Sequence, residues 1–220
     1  MENFAIENFI AMIVISYLLG SVPTSIIAGK LLKGIDIRKE GSGNAGATNV
    51  FRVLGPKAGI TVMLIDMLKG LIPVIWFAPL GANSGLLGWE MINYQILAGL
   101  AAVFGHIWTI FAGFRGGKGV ATGAGMIIGL APWAVLICII VFGITVAATR
   151  YISLGSILAS LTFMAVILVQ RFVLGQEVPM QMLIFSIFIP ALIIFTHRAN
   201  VQRLLKGEEN KMAFGKRGAK

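Results

Sequence analysis

The residues able to do chemistry in this 220-residue chain sit in a few short polar segments. The first is GSGNAGATN, Gly41 to Asn49, with Arg52 close behind it. Its opening fits G-x-G-x-x-G, and Asp66 lies about 20 residues beyond Gly46, the spacing of a dinucleotide-binding fingerprint. That reading fails on context. Arg38, Lys39 and Glu40 stand where a buried strand should lead into the motif, and Asp66 falls within an apolar run. What remains is chemistry for an oxyanion. Gly41, Gly43 and Gly46 let the backbone turn tightly and expose amide donors, while Ser42, Asn44, Thr48 and Asn49 add hydroxyl and carboxamide groups.

The second segment lies within GHIWTIFAGFRGGKGVATG, Gly105 to Gly123, where Lys118 is set among Gly116, Gly117 and Gly119 at the start of a helix. Backbone donors and the positive end of a helix dipole favour an anion there, and Lys118 adds a full charge. It is not a nucleotide-binding P-loop: the spacing from Gly113 to Lys118 is one residue short, and Gly119 replaces the hydroxyl that would hold magnesium. Two further segments are RYISLGS, with Arg150 and Ser153, and THRAN, with His197, Arg198 and Asn200. His197 is suited to carry a proton, bind a phosphate or cap a helix. His106, deep among apolar neighbours, either packs against a hydrogen-bond partner or faces a polar cavity. Asp66 and Lys69 are one helical turn apart, and either alone near a bilayer midplane costs ~2.5 to 3.5 kcal/mol, so pairing or access to a polar cavity is expected. The chain has no Cys and His cluster, no H-E-x-x-H, no paired-metal carboxylates and no G-x-S-x-G, which disfavours metal-dependent and triad hydrolases. Its lone cysteine, Cys138, sits in an apolar run and reads as packing.

The elements that position these residues are set by composition. A chain 57% hydrophobic, 12% charged and of mean hydropathy +0.89 has too little polar surface for a soluble domain and reads as an all-α integral membrane bundle in one domain, 1–220. A hydrocarbon core of ~30 Å needs ~20 apolar residues, and Ile6 to Ala28, Ala58 to Leu80, Ile92 to Ala112, Leu154 to Phe172 and Met180 to Thr196 meet or approach that length. Between them, Val120 to Thr149 is too long for one untilted span and contains Pro132, where a helix loses a donor. Charge decides between one bent span and two short ones. With two helices meeting near Pro132 there are seven spans, and all but two of the chain's Lys and Arg residues, Lys69 within its span and Arg171, fall on one side, opposite Glu2, Glu7, Glu90 and Glu177. The basic side is cytoplasmic, which places the N-terminus outside and the C-terminus inside. The first apolar run, without a basic leader or a cleavage site before Lys30, reads as a retained span. The net charge of +9 is then accounted for by orientation and by anionic lipid, chiefly through a basic tail at 204–220, and no nucleic-acid partner follows. The four polar segments are expected together at the inner leaflet. An organic-phosphate transporter is the rival reading, but its polar residues should line a midplane pathway.

Taken together, LLGSVPTS at Leu18 to Ser25, GSGNAGATNVFRVLG, DMLKG, GHIWTIFAGFRGGKGVAT, RYISLGSI and HRANVQRLL closely resemble the bacterial acyl-phosphate:glycerol-3-phosphate acyltransferases, in the order of that family and over nearly the whole chain. The resemblance implies a seven-span fold with its active site on the cytoplasmic side of the bacterial inner membrane. It implies transfer of a fatty acyl group from acyl phosphate to the 1-hydroxyl of sn-glycerol 3-phosphate, giving lysophosphatidic acid and phosphate, without a cofactor or metal. The partners implied are those two substrates and membrane lipid. Carried over by position, Ser42, Gly43, Asn44, Thr48, Asn49, Gly117 and Lys118 look like donors to substrate phosphate, with Arg52 as its electrostatic partner. Ser153 contributes a further donor, His197 and Asn200 line the glycerol phosphate pocket, and His106, Asp66, Lys69 and Arg198 shape the site. Acyl phosphate already carries a good leaving group, so such a site need mainly hold two mutually repelling phosphates with the acceptor hydroxyl near the carbonyl carbon. No base is evident for an acyl-enzyme through Ser42 or Ser153. Direct transfer is favoured, the proton going to a substrate phosphate or to His197.

Overall fold

A computed structural model of the chain describes residues 2–83 and 89–212. The regular structure among them is helical, and the chain divides into two compact units, Met1–Trp133 and Ala134–Lys220. In the first unit the helices are α1 (Glu2–Ser21), α2 (Thr24–Lys33), α3 (Ala47–Leu54), α4 (Pro56–Ile72), α5 (Ala78–Ala82), α6 (Met91–Ile107) and α7 (Val120–Leu130). The second holds most of α8 (Pro132–Thr149), then α9 (Ile152–Phe172), α10 (Met180–Thr196) and α11 (Arg198–Leu205).

Five helical segments are long and apolar enough to cross a bilayer: Ile6–Lys33, Pro56–Ala82, Met91–Ala112, Pro132–Thr149 and Ile152–Phe172. Counting α10 with α11, which bend by 66° at their junction, makes a sixth. The helix does break ahead of Pro132, as its missing amide dictates, but the resulting α7 has 11 residues. At ~1.5 Å per residue it covers roughly 16 Å of a ~30 Å core, so α7 is a short apolar helix beside the five or six segments that qualify as spans by length and composition. Leu136, Ile140 and Ile144 form one stripe along α8 and are 52%, 59% and 65% exposed, a surface that hydrocarbon tolerates and water does not.

Within the first unit α1 packs along α6 and α4 along α7, and both crossings are backbone to backbone. A methyl group on Gly20 would collide with the Ala102 carbonyl, and one on Gly105 with the Tyr17 carbonyl. Gly70 and Gly125 meet the carbonyls of Thr122 and Met67 in the same way. Close approach of this kind is the main attraction between helices when no water remains to be excluded. Above these crossings Tyr94, Met12, Ala78 and Ala98 form a buried cluster, with Phe9 edge-on to Tyr94 at 6.3 Å between centroids. A second cluster, Ile37, Val50 and Val62, fastens the glycine segment and α3 onto α4. The α4 helix widens into a π-helical turn over Pro73–Phe77, where Pro73 lacks an amide, before continuing as α5.

In the second unit α9 packs along α10, with Phe163 and Phe185 edge-to-face at 5.7 Å. Beyond α11, residues 206–212 fold back: the Met212 amide donates to the Arg150 carbonyl at 2.8 Å. The rest of the basic tail, with Lys216, Arg217 and Lys220, lies outside the described residues.

Candidate functional site

The first helix is interrupted at Pro23, and the interruption creates a polar centre. Had the helix continued, the carbonyls of Ser21 and Val22 would accept from the amides four residues on; instead Ile26 and Ile27 both donate to Pro23. A carbonyl left without a partner at membrane depth costs several kcal/mol; the Val22 carbonyl takes the Thr24 amide at 2.9 Å, and side chains supply further donors to both carbonyls. The Thr109 hydroxyl donates to the Ser21 carbonyl, and the Lys69 ammonium donates to the Val22 carbonyl at 2.6 Å. Lys69 also donates to Asp66 Oδ1 at 2.7 Å and to the Thr24 hydroxyl, which in turn donates to Asp66 Oδ1 at 3.0 Å. Asp66 and Lys69 are 2% and 3% exposed, so the expected one-turn pair is present and fully withdrawn from solvent. His106, also buried, places Nδ1 3.8 Å from Asp66 Oδ1.

The two glycine segments are built differently from the amide cradles that their composition suggests. Asn49 is completely buried, and its amide donates to the carbonyls of Ile37 and Glu40, each at 2.9 Å, while its Oδ1 accepts from the Ser42 amide at 2.8 Å. The Gly43 amide is bonded to the Glu40 carbonyl at 3.0 Å. Asn49 and the backbone amides of Ser42 and Gly43 therefore close the loop on itself. The outward-facing groups of this loop are the Ser42 side chain, exposed, the half-buried Asn44 and Thr48, and Arg52 on the exposed face of α3.

The second segment caps a helix. The last carbonyls of α6 lack intrahelical amides. Gly105 accepts from the Ser21 hydroxyl at 3.2 Å, His106 from the Gly117 amide at 3.1 Å, and Ile107 from the Gly116 amide at 3.0 Å. Just beyond, the Trp108 carbonyl accepts from Tyr17 at 2.7 Å. The Gly117 amide is thus a helix cap. Its missing side chain matters for another reason: a methyl group there would strike His106 Nε2 and press on the Ala45 carbonyl at 3.1 Å. Lys118 is half-buried immediately before α7.

These elements enclose two adjoining spaces that share Ala45 and Gly116 as walls. The inner one, of about 10 Å³, has room for little more than one water and is lined by Thr24, Ser25, Asp66, His106, Thr109 and Gly117 among others. The outer one, of about 320 Å³, is a cleft lined by Asp36, Arg38, Lys39, Gly43 and Arg115. Arg38 joins the two loops, since its guanidinium binds Asp36 at 2.8 Å and donates to the Ala112 carbonyl at 2.9 Å. The Arg38 side chain and then its amide hold the Asp36 carboxyl down at about 2, so this pair is ionised throughout the physiological range. Of the residues singled out in the sequence, the inner space takes Asp66, His106 and Gly117 and the outer takes Gly43; Arg52 and Lys118 lie outside both linings. Thr24, Arg38 and Arg115 were missed as site residues. The available signals were the Pro-Thr-Ser at the break in an apolar run and an Asp two residues ahead of an Arg.

The second unit carries its own polar centre. His197 is buried where α10 gives way to α11, with Nδ1 2.8 Å from the Ile193 carbonyl. A carbonyl only accepts, so Nδ1 carries a proton in this contact. Ser153 and Asn200, both buried, donate to one oxygen of Glu209 at 3.0 and 2.7 Å, and Arg203 donates to the other at 2.8 Å. Burial raises the Glu209 carboxyl, but hydrogen bonds from Asn200, Arg203 and Ser153 outweigh it and hold the group below the ordinary carboxylate range. Arg198, exposed, lies over the Phe195 ring at 4.8 Å and bonds to its carbonyl, interactions within its own stretch of chain. No group of three or more possible metal ligands occurs among the described residues.

A membrane-embedded helical fold carrying cationic and hydroxyl groups, without a metal cluster among the described residues, defines the class. The family model for glycerol-3-phosphate acyltransferase matches residues 10–207. Relatives of that name include one from Chlorobaculum tepidum, 49% identical over 96% of this chain and 99% of its own, and one from Chlorobium phaeobacteroides, 44% identical over 95% and 98%. The crystal structure of PlsY (YgiH), described as an integral membrane glycerol 3-phosphate acyltransferase in its glycerol 3-phosphate form, is 39% identical, with TM-score 0.79 over 93% of this chain and 96% of that one. The same enzyme in its lysophosphatidic acid form gives TM-score 0.76. The chain belongs to the glycerol-3-phosphate acyltransferase family, and it is an all-helical, multi-pass integral membrane enzyme.

Proposed function

We propose that the acyl donor is an acyl phosphate and that the acyl group passes directly to the 1-hydroxyl of sn-glycerol 3-phosphate, giving lysophosphatidic acid and inorganic phosphate. Acceptor and product are supported by one solved relative described in both a glycerol 3-phosphate and a lysophosphatidic acid form, and the acyl phosphate donor is what the resemblance of GSGNAGATNVFRVLG, GHIWTIFAGFRGGKGVAT and HRANVQRLL to the acyl-phosphate-dependent enzymes implies. Acyl transfer forms the bond from the glycerol oxygen to the acyl carbon and breaks the bond from that carbon to the phosphate oxygen. The hydroxyl proton goes to a substrate phosphate or to His197. Neither step needs a metal or cofactor when the leaving group is already phosphate.

In the first unit, Ser42, Asn44, Thr48, Arg52 and Lys118 meet substrate phosphate, and the cleft with Arg38, Lys39 and Arg115 draws anions toward it. Asn49 and Gly117 act by holding the loops, and Asp66 and His106 line the inner space, with Lys69 bonded to Asp66 behind them. In the second unit, Ser153, His197 and Asn200 recognise glycerol 3-phosphate. The chain crosses the bacterial inner membrane seven times with the N-terminus outside, α7 completing the odd count where the bilayer is thinned, and the reaction faces the cytoplasm. Charge supports this orientation: Lys30, Lys33, Arg38, Lys39, Arg52, Lys57, Arg115, Lys118 and Arg150 then share one side.

Donor identity tests the reading. Purified protein given glycerol 3-phosphate should form lysophosphatidic acid from palmitoyl phosphate and none from a palmitoyl thioester. Product from the thioester alone would reject the acyl phosphate assignment.

A further inference from the structure

We propose that Glu209 is a positioning residue for glycerol 3-phosphate, orienting Ser153 and Asn200 by direct hydrogen bonds. The inference rests on the reading that these two residues bind that substrate. Glu209 lies in GEEN, in the stretch whose composition suggests only a solvated basic tail, yet it is 8% exposed. Its neighbour Glu208 is exposed. The chain reverses after α11 through Gly207, in the left-handed region at φ +71°, and the Glu208 amide returns to the Arg203 carbonyl at 2.8 Å. That turn delivers the carboxylate to a serine 56 residues earlier in sequence and an asparagine nine residues earlier.

An ionised carboxylate only accepts hydrogen bonds. The Ser153 hydroxyl hydrogen and one Asn200 amide hydrogen are therefore committed to the same oxygen, which fixes both rotamers. The Ser153 lone pairs are directed away from Glu209. This also amends the role of Ser153, which in this arrangement presents an acceptor, the partner for a glycerol hydroxyl and not for a phosphate oxygen. A bare carboxylate would repel an anionic substrate, but Arg203 at 2.8 Å balances it, so the cluster orients its members without adding negative charge. Met212 bonded to Arg150 and Lys211 5.6 Å over the Tyr151 ring hold the returning segment against the start of α9.

The test uses full-length protein and steady-state kinetics with each substrate varied in turn, for wild type, E209A, E209Q, S153A, N200A and the control E208Q, with thermal unfolding measured alongside. E209A should raise KM for glycerol 3-phosphate by about tenfold, the scale of one charge-assisted hydrogen bond, while KM for palmitoyl phosphate stays within about twofold. E209Q keeps an acceptor for Ser153 and Asn200 and should fall between, and E208Q should match wild type. If E209A does not accumulate in the membrane, E209Q carries the test through the same selective rise. An unchanged or lowered KM for glycerol 3-phosphate in E209A or E209Q, while S153A and N200A raise it, overturns the inference. So does a loss of kcat in proportion to lost folded protein with both KM values unaltered. Failure of S153A and N200A to shift that KM would instead remove the assignment of those residues, and the inference with it. A wild type inactive on glycerol 3-phosphate would reject the reaction itself.

Discussion

The buried Lys69 offers the sharpest separation between a structural and an incidental charge. Replacing it by methionine keeps the length of the side chain but removes three donors at once: those to Asp66 Oδ1 at 2.7 Å, to the Val22 carbonyl at 2.6 Å and to the Thr24 hydroxyl. Asp66, 2% exposed, is then an uncompensated carboxylate, and breaking such a pair by deleting one partner costs about 3–5 kcal/mol. The double variant D66N/K69M should be milder than K69M alone. The asparagine still accepts from Thr24, no net charge is buried, and the Val22 carbonyl keeps the Thr24 amide at 2.9 Å. Its cost is that of one weakened hydrogen bond, about 1–2 kcal/mol. Equilibrium unfolding in mixed micelles, followed by tryptophan fluorescence, gives the four corners of the cycle. A K69M cost below about 1 kcal/mol, or a double variant as unstable as the sum of the singles, would refute the claim that this lysine is held in place by the break at Pro23.

Three further outcomes are expected. Lys118→Ala should lower kcat by ~10²–10³ while the protein stays folded in the membrane, the loss typical of one charge-assisted donor at a developing anion; near-normal turnover would remove it from the site. Gly117→Ala should reduce activity by an order of magnitude or more, because a methyl group there meets His106 Nε2 and the Ala45 carbonyl; unimpaired G117A enzyme would show that this wall yields at little cost. With Cys138 replaced, single cysteines at Asn83 and Lys206 should react with an impermeant thiol reagent from opposite faces of the membrane, and labelling from the same face would reject the odd span count.

Much of the scaffold was legible because one rule dominates it. Runs of about 20 apolar residues become spans, a proline without an amide breaks the run ahead of Pro132, and two opposite charges a turn apart pair when no water is present. The polar segments were legible as loops more than in their bonding. Glycines at 41, 43, 116 and 117 marked two loops correctly, but their amides point to chain partners that local sequence does not reveal. Asn49 competes for one set, and the end of α6 for the other. Likewise Val22-Pro23 announces a break, yet the groups that satisfy it, Lys69 and Thr109, lie 47 and 88 residues downstream. Glu209 was hidden by its basic surroundings, since composition describes a segment's average and burial is decided one side chain at a time.

The central claim is that a fatty acyl group passes directly from acyl phosphate to glycerol 3-phosphate. It is tested most directly by following inorganic phosphate and lysophosphatidic acid together as purified enzyme meets palmitoyl phosphate with and without the acceptor. Direct transfer predicts equal amounts of the two products when glycerol 3-phosphate is present and no phosphate, not even a burst equal to the enzyme, when it is absent. A stoichiometric burst without acceptor would establish an acyl-enzyme, and sustained release into water would contradict the account as a whole.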